Sequence, residues 1–241
     1  KTEELNALKK HRRKKESLNN LRKKISIINK KHNVKKDHIQ KKEIIALLGP
    51  SGSGKSSLLK SINMLNTPSC GQIKYHNNDI QEISPMALRK KIGYVLQKPT
   101  LFGNDVMENL KYPCELHQKV FDINLVEFYL KKVNLKPDIL EKKPNELSGG
   151  EQQRISLVRT LLLEPEIILL DEVTSALDED NTLLIEELIK YENENNELTV
   201  IFISHNNEQA KRLAQKVIYM EEGVIKEFTT VTNFFKERII K

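Results

Sequence analysis

Tryptophan is absent from these 241 residues, cysteine occurs twice, and no Phe, Tyr or Trp precedes Tyr75. Two cysteines are too few for a disulfide scaffold. Cys70 and Cys114 lie far apart in no metal-ligand or redox spacing, so they read as reduced thiols. Long apolar runs are also missing: none approaches the roughly 18 residues that a membrane-spanning helix requires. The lysine-rich opening residues lack the apolar core of a secretory signal, so the chain is expected to stay inside the cell, in the cytoplasm.

What is present is a composition with 38% hydrophobic and 30% charged residues, enough to bury one core with a lobe inserted in it. The formal charge of +7 is unevenly divided. Residues 1–42 hold 16 Lys/Arg against four acids, and residues 43–241 hold 24 against 29. Such a basic run can attract nucleic acid or anionic lipid, but solvated surface is the commoner reading, and no function is assigned to it.

Three regimes follow one another. Residues 1–42 form a basic, partly irregular segment with weak helical periodicity. Ile44-Ile45-Ala46-Leu47-Leu48 reads as a buried strand ended by Gly49-Pro50, and Ser56 to Leu65 as a helix. Ile73–Tyr75 and Ile92–Leu96 are further expected strands. Pro99 to Glu146 is helical in pattern, with breaks expected at Pro113, Pro137 and Pro144. Beyond Ser148 the order is helix to Leu163, strand Ile167–Leu170, helix Asn181–Tyr191, strand Thr199–Ile203 and helix Glu208–Ala214. The alternation predicts an α/β fold with a mainly parallel sheet flanked by helices. The expected parts are 43–97 and 148–228 as core, 98–147 as a helical subdomain, and 229–241 as a C-terminal helix or tail.

Gly49-Pro50-Ser51-Gly52-Ser53-Gly54-Lys55-Ser56 fits G-x-x-x-x-G-K-[ST] between a strand and a helix, the P-loop pattern. Its glycines let successive N–H groups point into one concavity, and the following helix adds the positive end of its dipole, which suits a polyphosphate. Lys55 is expected to reach the β- and γ-phosphates of ATP and Ser56 to ligate Mg²⁺, with Ser57 next into the helix. A strand ending in two acids supplies the other half. Asp171 is expected to hold Mg²⁺ through water, and Glu172 to polarise the attacking water as general base or to orient it.

Between these halves stands Leu147-Ser148-Gly149-Gly150-Glu151-Gln152-Gln153-Arg154, and here the chain resembles the ATP-binding cassette (ABC) family over about residues 43–227. The resemblance implies a P-loop NTPase fold with an inserted helical subdomain and a small N-terminal β-subdomain. It also implies that Ser148 and Gly150 contact ATP held by a second ATP-binding subunit. By the same resemblance Gln97 touches Mg²⁺ and the attacking water and senses separate transmembrane permease subunits. Asp178, in Ser175-Ala176-Leu177-Asp178, lies in the loop that communicates across the dimer, and His205 is the switch histidine at the γ-phosphate. The chain is then an ATPase peripheral on the inner face of the membrane.

Two departures concern the start of the chain. The family stacks adenine on an aromatic residue well before the P-loop lysine. The corresponding region here, near Ser26 and Ile27, has none, and His32 is the nearest ring. Lys42 stands where the family has a glycine that accepts positive φ. The segments Gln97–Gly103, Glu108–Leu110 and Glu172–Glu179 look most like ATP-binding subunits of bacterial iron exporters. The chain has no Cys/His cluster for iron, so no metal beyond Mg²⁺ is expected to touch it. Two other readings are a soluble ABC ATPase on nucleic acid or the ribosome, and a lipoprotein-release or peptide-efflux cassette. Nucleic acid is not the expected partner.

Overall fold

A computed structural model describes residues 39–68 and 71–239. The expectations about the segment before Ile39, including the adenine region near Ser26, Ile27 and His32, lie outside the described residues, as does Cys70.

The main sheet has six strands in the order β4-β5-β6-β1-β7-β8. These are β1 (Ile44–Leu48), β4 (Ile92–Val95), β5 (Ile167–Asp171), β6 (Thr199–Ile203), β7 (Lys216–Glu221) and β8 (Val224–Thr230). All neighbouring pairs are parallel except β7 with β8. A two-stranded antiparallel hairpin, β2 (Lys74–Tyr75) with β3 (Asn78–Asp79), stands apart.

The apolar runs of β1, β5 and β6 are continuous rather than alternating because both faces of the sheet are covered. Ile44, Ala46, Leu48, Ile168, Leu170, Val200 and Phe202 join one buried cluster. It includes side chains of α3 (Val106–Leu116), α4 (Ile123–Lys132), α5 (Gly149–Leu161), α6 (Glu179–Asn195), α7 (Asn207–Leu213) and α8 (Val231–Ile239). Ile45, Leu47, Leu169, Ile201 and Ile203 join the other, with Leu59 of α1 (Lys55–Ile62) and Leu88 of α2 (Pro85–Lys91).

Three expectations need correction. Helix α1 ends at Ile62 rather than Leu65, because the chain turns at Asn63, whose amide holds the Ile92 carbonyl, and at Met64, with φ 54°. Pro113 does not break its helix: α3 runs through it to Leu116. The missing N–H removes one bond close to the helix end, while Leu110, Pro113 and Cys114 are all buried on one face, and that packing prevails. Pro137 and Pro144 do interrupt, each opening a 3₁₀ turn. The strands β7 and β8 complete the sheet beyond Ala214, where no strand was expected, and the tail is the helix α8.

Candidate functional site

Register sets the site. Val95 pairs with Leu170, Asp171 with Ile203, and Ile203 with Leu47, so the C-terminal ends of four parallel strands are level. The loops leaving that edge carry Gln97, Glu172, His205 and the Gly49–Ser56 turn, and the edge is where open α/β sheets bind ligands.

The turn wraps its own lysine. Lys55 is buried, and its Nζ donates to the carbonyls of Gly49 and Pro50, both at 2.9 Å. Burial lowers its pKa from 10.5, against the raising fields of Glu172 and Asp171. Gly49 has φ +143°, and a Cβ there would sit 1.9 Å from the Met220 carbonyl oxygen, so the loop closes against β7 only with glycine. Gly54 caps α1 at φ 97°, a left-handed conformation that glycine adopts without strain. No acid occupies the first turn of α1, leaving its N-terminal dipole uncompensated. Ser53 Oγ is buried without a protein partner, an orphan inside the loop that fits a site built for an acceptor-rich ligand. Ser51, Gly52 and Ser57 are exposed.

Across from the loop, Asp171 is buried and accepts from Ser56 Oγ at 2.8 Å through Oδ1 and from Tyr94 OH at 2.7 Å through Oδ2. Burial, then the bond to Asp171, raises the Tyr94 pKa above 10.0, so the phenol stays protonated and donates. Glu172 follows with φ 53°, a left-handed conformation costing a non-glycine residue about 1–2 kcal/mol. Ser175 holds that turn, its Oγ donating to the Glu172 carbonyl at 2.8 Å. The Glu172 carboxylate lies between two side chains. Gln97 Nε2 donates to Oε2 at 2.7 Å, and His205 Nε2 is 2.9 Å from Oε1.

Gly49 to Ser56, Asp171, Glu172, Gln97 and His205 are thus brought together. Ser148, Gly150 and Asp178 form a second group. Ser148 caps α5 reciprocally with Glu151: its Oγ accepts from the Glu151 N–H at 3.2 Å, and its own N–H donates to Glu151 Oε2 at 2.8 Å. Asp178 caps α6 by accepting from the Asn181 N–H at 2.8 Å. Sequence reasoning missed Tyr94, which reads as an ordinary strand residue, and Gln153, whose Nε2 donates to the Leu96 carbonyl at 3.0 Å and so ties α5 to the segment before Gln97.

A family model for the ABC transporter matches residues 32–175. The chain belongs to the ABC transporter ATP-binding family. YjkB of Bacillus subtilis (strain 168), named as an ABC transporter ATP-binding protein, is 39% identical over 197 residues, 82% of this chain and 78% of that one. FetA of Escherichia coli (strain K12), named for iron export, is 39% identical over 74% of this chain and 79% of its own. The phosphate import ATP-binding protein PstB 3 of Streptococcus pneumoniae (strain TIGR4) is 38% identical over 82% and 83%. Among solved structures, the dimeric post-hydrolysis cassette MJ0796 bound to ADP and Pi superposes with a TM-score of 0.74 at 31% identity, covering 81% of this chain and 88% of that one. This cassette therefore has the P-loop ABC ATPase fold, and it is an ATPase of the transport-coupled kind. Among its described residues no helix is long and apolar enough to cross a membrane.

Proposed function

We propose that the chain is the motor subunit of a transporter, dimerising around two Mg·ATP and acting on separate membrane subunits from the inner face of the membrane. The observation that carries this reading is the Glu172 carboxylate, held between Gln97 and His205 at the strand ends beside the phosphate loop.

Lys55 and the N–H groups of the loop from Gly49 to Ser57 bind the phosphates. Ser56 and Asp171, already 2.8 Å apart, would hold Mg²⁺ with Gln97, and the bound ion supplies charge neutralisation at the phosphates. Glu172 accepts the proton of the attacking water at the oxygen that Gln97 releases, while His205 keeps the other oxygen oriented. Ser148, Gly150 and Asp178 face the nucleotide of the partner cassette; a similar cassette solved as a dimer bound to ADP and Pi supports the dimer. Residues 43–97 and 148–228 act as the ATPase core and 98–147 as the subdomain that meets the membrane subunits. An open groove of about 350 Å³ that takes in the end of the Gln97–Gly103 segment, lined by Leu101, Phe102, Gly103, Asn104 and Lys143 to Asn145, offers a loop of a membrane subunit a largely polar surface.

For cargo we propose iron export, on the segments Gln97–Gly103 and Glu172–Glu179 and the likeness to FetA. Glu172→Gln tests the motor: it should retain ATP and accumulate as a dimer with little turnover, and normal turnover would remove Glu172 from its role. Deleting the gene should raise cellular iron; a phosphate-uptake defect instead would refute the cargo.

A further inference from the structure

Arg154 is the last residue of the Leu147–Arg154 stretch, on α5, and is buried. Its guanidinium joins three helices. Nε donates to the Gly150 carbonyl at 3.3 Å in the first turn of α5, Nη1 to the Val133 carbonyl at 3.3 Å at the end of α4, and Nη1 also to Asn181 Oδ1 in the first turn of α6. Asn181 passes the connection on, because its Nδ2 donates to Asp178 Oδ1 and Oδ2 at 2.9 and 2.8 Å. The Asp178 carboxyl is held below its ordinary 3.8 by the Asn181 backbone N–H, then the Asn181 amide, with Arg154 adding to both.

A separate apolar contact joins the same two turns. A Cβ on Gly150 would stand 3.1 Å from Leu177 Cδ2, so Leu177 of the loop before α6 packs over the bare Cα of Gly150 in the Ser148–Gly150 turn. The two turns are mated twice, once by hydrogen bonds through Arg154 and once by Leu177 on Gly150.

We propose that Arg154 is a positioning residue that fixes the Ser148–Gly150 turn and the Ser175–Asp178 loop of one chain as a single rigid surface, so that its influence on hydrolysis falls on the partner's ATP rather than on its own. This rests on the proposed dimer, in which both turns face the partner's nucleotide. A buried guanidinium is an effective lock here. Its planar donors are pre-organised, and removing them takes this donor from the Val133 carbonyl on α4 and from Asn181 Oδ1 on α6.

Mixed dimers of the full chain, with a different tag on each copy, separate the two directions. In the first, Arg154→Met and Glu172→Gln share one copy and the other is unaltered, so the only hydrolysing Glu172 faces the altered surface. In the second, Arg154→Met is on the copy that keeps Glu172, and its partner carries Glu172→Gln alone. The first should lose turnover by about ten-fold, as expected for a sub-ångström misplacement, with an unchanged KM for ATP, and the second by less than about two-fold. Equal losses in both arrangements, or no loss in the first, overturn the proposal. Asn181→Ala, which keeps the backbone cap on Asp178, repeats the comparison should Arg154→Met fold poorly, and must show the same asymmetry. The control dimer with Glu172→Gln on one copy only isolates the underlying reading: if ATP fails to assemble it, the dimer itself is refuted and not the role of Arg154.

Discussion

Replacing Tyr94 by phenylalanine deletes one hydroxyl and leaves the ring in place. That hydroxyl donates at 2.7 Å to a carboxylate oxygen of Asp171, which is only 3% exposed, so no solvent stands ready to replace it. A hydrogen bond to a charged group contributes about 1.5–3 kcal/mol, and the Ser56 bond to the other oxygen survives, so the loss of folding stability should be near the lower end, about 1.5 kcal/mol. The effect at the site is distinct. With Oδ2 released, the carboxylate is free to rotate away from the orientation that presents Oδ1 toward Ser56. Outer-sphere partners of metal ligands typically matter by about 10- to 100-fold in affinity. ATPase rate measured against free Mg²⁺ at saturating ATP should therefore shift about ten-fold to higher Mg²⁺, with the maximal rate less affected. Urea unfolding in parallel gives the stability term. A Mg²⁺ curve superimposable on that of the unaltered protein would refute the assignment of Tyr94 as the group that orients Asp171.

Three further outcomes follow from single side chains. Lys42 has φ 67° in the turn before β1, so Lys42→Gly should relieve about 1–2 kcal/mol of strain against about 0.5–1 kcal/mol of added chain entropy, raising the urea midpoint; a fall would show that the Lys42 Nζ bond to the Glu194 carbonyl outweighs the strain. Glu192 is buried, and burial raises its pKa above 4.5, more than the bonds from Asn196 and Tyr129 lower it. A raised acid penalises the fold above its folded pKa and not below its unfolded one, so Glu192→Gln should stabilise at pH 7 and be neutral near pH 3; a gain independent of pH would contradict this. Glu151 is held ionised by the Ser148 backbone N–H and hydroxyl, where the proposed dimer brings the partner's γ-phosphate. Glu151→Gln keeps the reciprocal cap and removes the repulsion, so in the Glu172→Gln background about five-fold less ATP should assemble the dimer by light scattering, and no downward shift would sink the proposed approach.

The parallel core was legible because β1, β5 and β6 are short apolar runs buried on both faces, each followed by turn chemistry. The β7–β8 hairpin was not read, although Glu222-Gly223 between Val217–Met220 and Val224–Phe228 is a turn between β-rich runs. Its charged residues, Lys216, Glu221, Lys226 and Glu227, mask the apolar pattern, and β7 gains its place only by pairing with β1, more than 160 residues earlier in sequence. Pro113 misled for a related reason: a local rule about a missing N–H was set against burial that no local window contains. Lys42 was legible in the opposite sense, since a lysine at a position wanting positive φ is a visible conflict, and the backbone keeps the positive φ.

The phosphate end of the site was readable because its residues are strand-end neighbours in sequence blocks: the loop carries Lys55 and Ser56, and β5 carries Asp171 and Glu172. Residues that act through another residue left no such trace. Tyr94 reaches Asp171 across 77 positions, Gln153 reaches Leu96 across 57, and Arg154 reaches Asn181 across 27. Each looks in sequence like an ordinary member of its strand or helix. What distinguishes them is a polar group partly buried in Tyr94 and buried in Gln153 and Arg154, and a polar group taken from water must find a partner. For Tyr94 that need is met by Asp171 itself, and for Arg154 by Gly150 and by Asn181, which in turn holds Asp178, so packing of the core and orientation of the site share hydrogen bonds. A substitution at either position should therefore disturb the chemistry before it unfolds the chain, since the apolar contacts of the ring or the alkyl stem remain while the aim of Asp171 or Asp178 is lost.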